Sequence, residues 1–137
     1  MKTDASSSVG PKRAKQLLIV DDEPDVRLLL KDCLTSFGFA VSTAKDGSEG
    51  LRLIKTLSPD GVILDYQLPD LLGLDVLRLA RAHGYQQPII IVSGRLSERE
   101  MRDATRLGAA AVVRKPFQIA ELEGILATLV GPAESPS

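Results

Sequence analysis

Five short apolar segments, each followed by a segment with helical periodicity, constrain the fold of this chain more than any other feature. The apolar segments are predicted strands at residues 17–20, 39–43, 61–65, 88–92 and 109–113. Between them, apolar residues recur every three or four positions, as on the buried side of an amphipathic helix. Strand and helix alternating in units of about 25 residues predict a parallel sheet with right-handed crossovers. We therefore expect an α/β fold of five βα units, (βα)5, doubly wound, for which the flavodoxin-like strand order 2-1-3-4-5 is a common arrangement.

The length of the chain suits one domain. It has 137 residues, enough for a full hydrophobic core. We expect residues 16–130 to form this domain and residues 1–15 and 131–137 to be disordered tails, because both ends lack apolar periodicity. A sensing or DNA-binding domain does not fit beside it, so the sequence predicts a stand-alone domain.

Composition and charge exclude several classes of protein. Hydrophobic residues make up 44% and charged residues 26% of the chain, as in soluble globular proteins. The formal net charge of -1 argues against nucleic-acid binding, which needs a basic excess. The apolar runs fall far short of the roughly 20 residues that span a bilayer, and residues 1–16 lack the apolar core of a secretory signal. Because the single Cys33 cannot form an internal disulfide, we expect a cytoplasmic protein without membrane contact.

Polar side chains stand at the C-terminal ends of four of the five predicted strands. Asp21 and Asp22 follow the first strand, Asp65 ends the third, Ser93 follows the fourth and Lys115 lies just beyond the fifth. In the order 2-1-3-4-5 these four strands are neighbours. The side chains should therefore meet at one edge of the sheet, which is where open α/β sheets bind ligands.

The residue types at these strand ends suit phosphoryl transfer. Three adjacent carboxylates raise each other's pKa unless a cation neutralises them, and oxygen ligands suit Mg²⁺, whereas the chain has no His or Cys cluster for Zn²⁺. A lysine and a serine hydroxyl suit phosphoryl oxygens. Asp65 is then a candidate nucleophile that becomes an acyl phosphate. Each residue alone could be a turn or cap residue, so the prediction depends on their joint arrangement.

These residues resemble the receiver domain of two-component response regulators, of the chemotaxis-regulator type. The resemblance covers residues 16–130 and rests on Asp21-Asp22, on Asp65 with Pro69 and Gly73 after it, on Ser93-Gly94, on Leu107-Gly108-Ala109 and on Lys115-Pro116-Phe117. It implies that Asp65 accepts a phosphoryl group from the phosphohistidine of a histidine kinase or phosphotransfer protein. Ser93 would then follow the phosphoryl group, and Lys115 would pair with it.

The resemblance also implies a magnesium site. Asp22, Asp65 and the backbone carbonyl of Gln67 would bind Mg²⁺ directly, and Asp21 would lie nearby through water. The Lys115–Pro116 peptide bond would be cis, which would aim the lysine inward.

Three further positions concern regulation. We hypothesise that Gln67 and Arg95, each two residues beyond a predicted site residue, flank the path of an attacking water and set the lifetime of the phosphorylated state. The alternative is that these side chains are solvated surface. Receivers often carry Tyr or Phe three residues before the lysine, as an aromatic switch. Val112 occupies that position here. If output depends on the aromatic switch, this chain must transmit it differently or more weakly; the alternative is that Val112 simply packs the strand.

The resemblance implies a phosphorylation switch that is not an enzyme. A downstream protein would bind the face made by the fourth helix, fifth strand and fifth helix, residues 97–130. Two alternatives are an aspartyl-phosphate phosphatase that uses Mg²⁺ and an interaction module with a vestigial site. That class of phosphatase places a second Asp two residues after the nucleophile on the first strand, whereas Gln67 holds this offset on the third strand. The oligomeric state is open, with a homodimer as one option.

Overall fold

Strands and helices alternate along the whole of the chain that the computed structural model describes, residues 13–133. The elements are β1 (Gln16–Val20), α1 (Pro24–Ser36), β2 (Ala40–Ala44), α2 (Gly47–Leu57), β3 (Gly61–Asp65), α3 (Gly73–Ala82), β4 (Ile89–Ser93), α4 (Glu98–Arg106), β5 (Ala111–Arg114) and α5 (Ile119–Leu129). Neighbouring strands pair in parallel, in the order β2-β1-β3-β4-β5. The predicted fold and strand order are therefore confirmed.

The sheet is covered by helices on both faces, and the strand residues alternate between the two. In β1, Leu17 and Ile19 pack in the core cluster that includes residues of α1 and α5, whereas Leu18 and Val20 pack in the cluster that includes residues of α2, α3 and α4. Successive strand residues point to opposite faces, so a strand covered on both sides needs an unbroken apolar run. Every residue of β3 and β4 is buried, as their central places in the sheet require.

Local sequence signals set where the helices begin. Pro24 occupies the first turn of α1, where a missing N–H leaves no hydrogen bond unmade. Asp46 caps α2 by accepting a hydrogen bond from the Glu49 N–H at 2.8 Å. A capping box starts α4: Ser97 Oγ accepts from the Glu100 N–H at 3.1 Å, and Glu100 Oε1 accepts from the Ser97 N–H at 3.0 Å. The loops that carry the predicted site thus end at well-formed helix starts.

The start of α3 approaches the end of β3 so closely that only glycine fits. The Gly73 N–H donates to the Tyr66 carbonyl oxygen at 2.6 Å. A Cβ on Gly73 would lie 2.6 Å from the Asp65 carbonyl oxygen and 2.8 Å from Tyr66 Cα. Both are backbone atoms that could move only with the strand. Gly73 therefore sets the position of Asp65 relative to α3.

The described ends of the chain are joined to the sheet region by backbone hydrogen bonds. Lys15 and Ala133, both predicted to lie in tails, are linked by a bond from the Lys15 N–H to the Ala133 carbonyl oxygen at 2.6 Å, and the Ala40 N–H donates to the Lys15 carbonyl oxygen at 2.9 Å. The rest of the predicted tails, residues 1–12 and 134–137, lies outside the described residues. Between residues 13 and 133, no helix has the length and apolar character needed to cross a membrane.

Candidate functional site

Three carboxylates meet at the C-terminal edge of the sheet. Asp21 and Asp22 follow β1, and Asp65 is the last residue of β3. One oxygen atom of each lies within 4.8 Å of the other two. Asp21 is 4% exposed and Asp65 is 9% exposed, while Asp22 faces solvent. The structure thus brings together the three acids that the strand ends indicated.

Lys115 balances part of this negative charge. Its Nζ donates to Asp21 Oδ2 at 3.2 Å and to Asp65 Oδ2 at 3.3 Å. The Lys115–Pro116 peptide bond is cis, as the resemblance implied. Burial by itself would lower the pKa of the Lys115 ammonium, but the charges of Asp65 and Asp21 outweigh burial and raise it. Lys115 therefore remains a cation at the centre of the acidic cluster.

The environment of Asp65 disfavours its charged form. Burial raises the pKa of its carboxyl above the ordinary value, the nearby Lys115 lowers it in part, and the charge of Asp21 raises it again. The Gln67 N–H donates to Asp65 Oδ1 at 3.2 Å and also favours the carboxylate. The net shift of the Asp65 pKa remains upward because burial, aided by the charge of Asp21, outweighs the lysine and this hydrogen bond.

The donor set fits a hard divalent cation. All three side chains offer carboxylate oxygens, which are the ligands that Mg²⁺ prefers, and the cluster has net negative charge with Lys115 included. Asp22 and Asp65 also line a cleft of about 450 Å³, which leaves room for water and phosphoryl oxygens as further ligands. Asp21 is buried and is not part of the lining of this cleft.

The other predicted site residues surround the same cleft. Ser93 ends β4, is 4% exposed and lines the cleft, and its Oγ accepts a hydrogen bond from the Arg95 N–H at 3.1 Å. Gln67 and Arg95 also line the cleft and are exposed to solvent. Their influence on the lifetime of a phosphorylated state stays a prediction.

A model of the response regulator receiver domain family matches residues 17–127. The chain belongs to this family. Response regulator MprA of Mycobacterium sp. (strain KMS) is 37% identical to it over 124 residues, which is 88% of this chain and 54% of MprA. This receiver thus spans about half the length of MprA and of the other curated MprA relatives that it matches. Phosphorylation and an acidic pocket for Mg²⁺ are typical of such domains in two-component signalling.

Two solved structures show the likeness in three dimensions. A CheY-like receiver domain protein from Methanospirillum hungatei JF-1 is 30% identical, with a TM-score of 0.81 over 85% of this chain and 94% of that chain. The receiver domain of sensor histidine kinase PA1611 from Pseudomonas aeruginosa PAO1 is 27% identical, with a TM-score of 0.79 over 87% of this chain and 99% of that chain. That second domain holds a magnesium ion coordinated in its active site cleft.

Val112 of this receiver is a packing residue of β5. It is half-buried, pairs with Ile91 of β4 and packs against the core cluster on the side of α2, α3 and α4. Its apolar side chain offers no hydrogen bond that phosphorylation could make or break.

Tyr66 lies next to Asp65 of the receiver site and contacts α4, which the sequence pattern does not predict. Its hydroxyl donates to Glu100 Oε2 at 2.8 Å. Burial, followed by the hydrogen bond to Glu100 and the charge of that carboxylate, raises the pKa of Tyr66 to about 12. The hydroxyl is therefore a donor at neutral pH. In the sequence Tyr66 is only an aromatic residue beside a buried strand, which predicts core packing and no more.

Asp70 ties the loop after β3 to the start of α2. Its Oδ1 accepts from the Gly47 N–H at 2.8 Å, and its Oδ2 accepts from the Ser48 N–H at 2.9 Å and from Ser48 Oγ at 2.8 Å. Slight burial opposes ionisation, but these hydrogen bonds outweigh it and lower the pKa of Asp70 to about 2. A helix N-terminus favours such an anion. Asp70 thereby holds in place the loop that carries Gln67.

Proposed function

We propose that this receiver accepts a phosphoryl group on Asp65, with Mg²⁺, from the phosphohistidine of a histidine kinase or phosphotransfer protein, and that phosphorylation switches its binding to a downstream protein. The observation that carries the proposal is the position of Asp65 between Lys115 and the open cleft. Asp65 contacts the lysine and lines the cleft, whereas Asp21 contacts the lysine but is not part of the cleft lining. Asp65 is the buried acid that a phosphodonor can reach.

The proposed transfer makes one bond and breaks one. An oxygen of Asp65 attacks the phosphorus atom, a P–O bond forms, the P–N bond to the donor histidine breaks, and the imidazole nitrogen keeps the electron pair. The product is an acyl phosphate. Lys115 would then pair with one phosphoryl oxygen and Ser93 would donate its hydroxyl to another, since both line the cleft beside Asp65.

The ligand assignment for Mg²⁺ is the one that the resemblance to receiver domains implies. Asp22 and Asp65, which line the cleft, would hold the ion directly, with the backbone carbonyl of Gln67 as a third protein ligand. Asp21 is not part of the cleft lining and would act through water, while its Oδ1 accepts from the Glu23 N–H at 2.9 Å and its Oδ2 accepts from the site lysine. The bound ion would supply positive charge that balances the carboxylates and the transferred phosphoryl group.

Labelling with a small phosphodonor tests the proposed function. Incubated with acetyl phosphate and Mg²⁺, the chain should gain the mass of one phosphoryl group. It should gain none in EDTA, because the acidic cluster would then repel the donor. Treatment with hydroxylamine should remove the group, since acyl phosphates react with this nucleophile. A chain that gains no mass with Mg²⁺ present would instead support a vestigial interaction module.

We also propose that the transfer is stoichiometric and that the chain is not an enzyme for external phosphate esters. Gln67 supports this, because it stands where the phosphatase class needs a second acid and its side chain is exposed at the cleft. Sustained hydrolysis of p-nitrophenyl phosphate, lost in Asp65→Asn, would favour the phosphatase.

An apolar groove of about 390 Å³ adjoins the cleft, and we propose that the phosphodonor protein docks there. It is lined by apolar side chains of α1 and of the segment after β5, among them Leu29 and Phe117. Glu23 and Lys115 line both the groove and the cleft. A helix seated in the groove would therefore bring its phosphohistidine towards Asp65. Leu29 is 58% exposed, so it offers apolar surface in the groove that a docked partner would cover.

Leu29→Glu should slow phosphotransfer from a phosphorylated histidine phosphotransfer protein by about tenfold or more, because burying a leucine is worth roughly 1.5–3 kcal/mol. Labelling by acetyl phosphate should not change, since a small donor needs no docking surface. The matched control is Leu28→Glu, at a side chain that is 60% exposed but does not line the groove. Equal rates for the two variants would contradict the docking proposal.

The downstream protein would bind the face of α4, β5 and α5, residues 97–130. A second apolar groove of about 500 Å³ along β5 and α5 supports this, and its lining includes Ala111, Gly124 and Ile125. A Cβ on Gly124 would meet nothing within 4 Å, so the groove is open at this point.

Four further expectations stay predictions: the stand-alone arrangement, the homodimer, the cytoplasmic location and the absence of nucleic-acid binding.

A further inference from the structure

Tyr66, the residue after the proposed phosphoacceptor, is held firmly between the sheet and α4. Its side chain is 7% exposed and packs in the core cluster that contains Leu96 and Ala104. Its own N–H donates to the Val92 carbonyl oxygen at 2.9 Å, and its carbonyl oxygen accepts from the Gly73 N–H at 2.6 Å. The ring therefore has a fixed position, one residue from the atom that would carry the phosphoryl group.

The carboxylate that accepts from Tyr66 also organises the first turn of α4. Glu100 Oε2 accepts from the Tyr66 hydroxyl at 2.8 Å, and Glu100 Oε1 accepts from the Ser97 N–H at 3.0 Å. The Glu100 N–H donates to Ser97 Oγ at 3.1 Å. One carboxylate thus completes the capping box and ties it to the sheet.

The connection from the site to this turn is short. Ser93 ends β4, and Ser97 caps α4 only four positions later. Within it, Ser93 Oγ accepts from the Arg95 N–H at 3.1 Å. If Ser93 moves to donate its hydroxyl to phosphoryl oxygens, as proposed, the acceptor of this bond moves with it. A displacement of this short connection would reach the first turn of α4, where the bond from Tyr66 would oppose it.

We infer that the Tyr66–Glu100 hydrogen bond is a latch that holds the first turn of α4 in its unphosphorylated position, and that phosphorylation of Asp65 opens it. The inference rests on the proposed function and adds how the event is transmitted. Val112 packs against the same core cluster as Tyr66 but carries no polar group. The latch gives this receiver a bond that can be made or broken, which Val112 cannot supply.

A contact present in one state only shifts the equilibrium between states, and the linkage is reciprocal. Removing the Tyr66 hydroxyl should therefore favour the phosphorylated conformation before any phosphate is attached. We expect Tyr66→Phe to raise the rate of labelling by acetyl phosphate about fivefold, the size of effect that one net hydrogen bond supports. Amides of residues 97–101 should also exchange hydrogen faster in the unphosphorylated variant.

A control variant separates the latch from general loss of stability. Tyr85→Phe removes a buried hydroxyl that donates to the Pro59 carbonyl oxygen at 2.7 Å, away from α4. Labelling of this variant by acetyl phosphate should stay near the wild-type rate. Hydrogen exchange at residues 97–101 is measured in each protein with and without beryllium fluoride and Mg²⁺.

The latch predicts that beryllium fluoride speeds this exchange in the wild type and in Tyr85→Phe, but adds little in Tyr66→Phe, where the turn is already released. If Tyr66→Phe is labelled at the wild-type rate and responds like Tyr85→Phe, the latch is wrong while the proposed function stands. If the wild-type chain is not labelled at all, the proposed function fails, and the latch fails with it.

Discussion

Asp65→Asn should abolish labelling by acetyl phosphate and, in buffer without Mg²⁺, should raise the midpoint of thermal unfolding. The amide of Asn keeps the size of the side chain but cannot form an acyl phosphate, so mass spectrometry should show no phosphoryl group at any donor concentration. Asp22→Asn is the informative comparison, because Asp22 is a proposed metal ligand and not the nucleophile. Its labelling should recover as Mg²⁺ is raised, whereas that of Asp65→Asn should not. A phosphoryl group on Asp65→Asn would overturn the assignment.

The gain in stability follows from the direction of the pKa shift at Asp65. Burial first, and then the charge of Asp21, raise the pKa of this carboxyl in the folded chain above its ordinary value of 3.8, against the opposing effect of Lys115. The folded state therefore binds a proton here more readily than the unfolded state does. Stability falls as pH rises from 3.8 through the raised pKa, and the whole penalty is present at neutral pH.

Asn removes this penalty. The variant should therefore unfold at a higher temperature than the wild type at neutral pH, and the difference should vanish below pH 3.8, where the wild-type carboxyl is protonated in both states. Thermal unfolding in EDTA, followed across this pH range, measures the effect. Equal midpoints at neutral pH would contradict it.

The fold could be predicted because a strand that is buried on both faces of a sheet has a recognisable apolar sequence. β3 and β4 are apolar up to their last residues, Asp65 and Ser93, which is the pattern of a strand buried on both faces in the middle of a parallel sheet. The exact ends of the strands are harder to predict, because an apolar run in the sequence does not show where strand pairing begins. β5 starts at Ala111, two residues later than predicted, since the Ala109 N–H donates to the Ala104 carbonyl oxygen at 2.9 Å and so closes α4 instead of entering the strand.

The candidate site, like the fold, has one part that the sequence predicts and one part that it does not. The sequence predicts that Asp21, Asp65 and Lys115 meet at one edge of the sheet, because each stands at the C-terminal end of a strand and a parallel sheet places all these ends at the same edge. The contact between Tyr66 and Glu100 could not be predicted. These residues lie 34 positions apart, and their meeting depends on how far α4 reaches over the sheet. Side-chain pairs of this kind follow from packing between elements, which periodicity along one element does not describe.

Lys115→Met should strengthen Mg²⁺ binding but slow labelling by acetyl phosphate. The lysine Nζ lies 3.2 Å from Asp21 Oδ2 and 3.3 Å from Asp65 Oδ2, so it competes with any cation for the same oxygens. Removing it should tighten Mg²⁺ binding by about tenfold, because like charges a few ångströms apart repel even in a partly screened site. Labelling should nevertheless become at least about tenfold slower, since a charge-assisted hydrogen bond to the phosphoryl group is worth roughly 1.5–3 kcal/mol.

Calorimetric titration with Mg²⁺ and labelling by acetyl phosphate at saturating Mg²⁺ measure the two effects separately. Lys55→Met is the matched control, because Lys55 lies in the last turn of α2 and its loss changes the net charge equally without touching the site. If Lys115 only neutralised the acids, tighter Mg²⁺ binding would replace it, and labelling at saturating Mg²⁺ would match the wild type. Slower labelling despite tighter metal binding therefore identifies Lys115 as a group that acts on the phosphoryl oxygens themselves, whereas unchanged labelling would reduce it to a counter-ion.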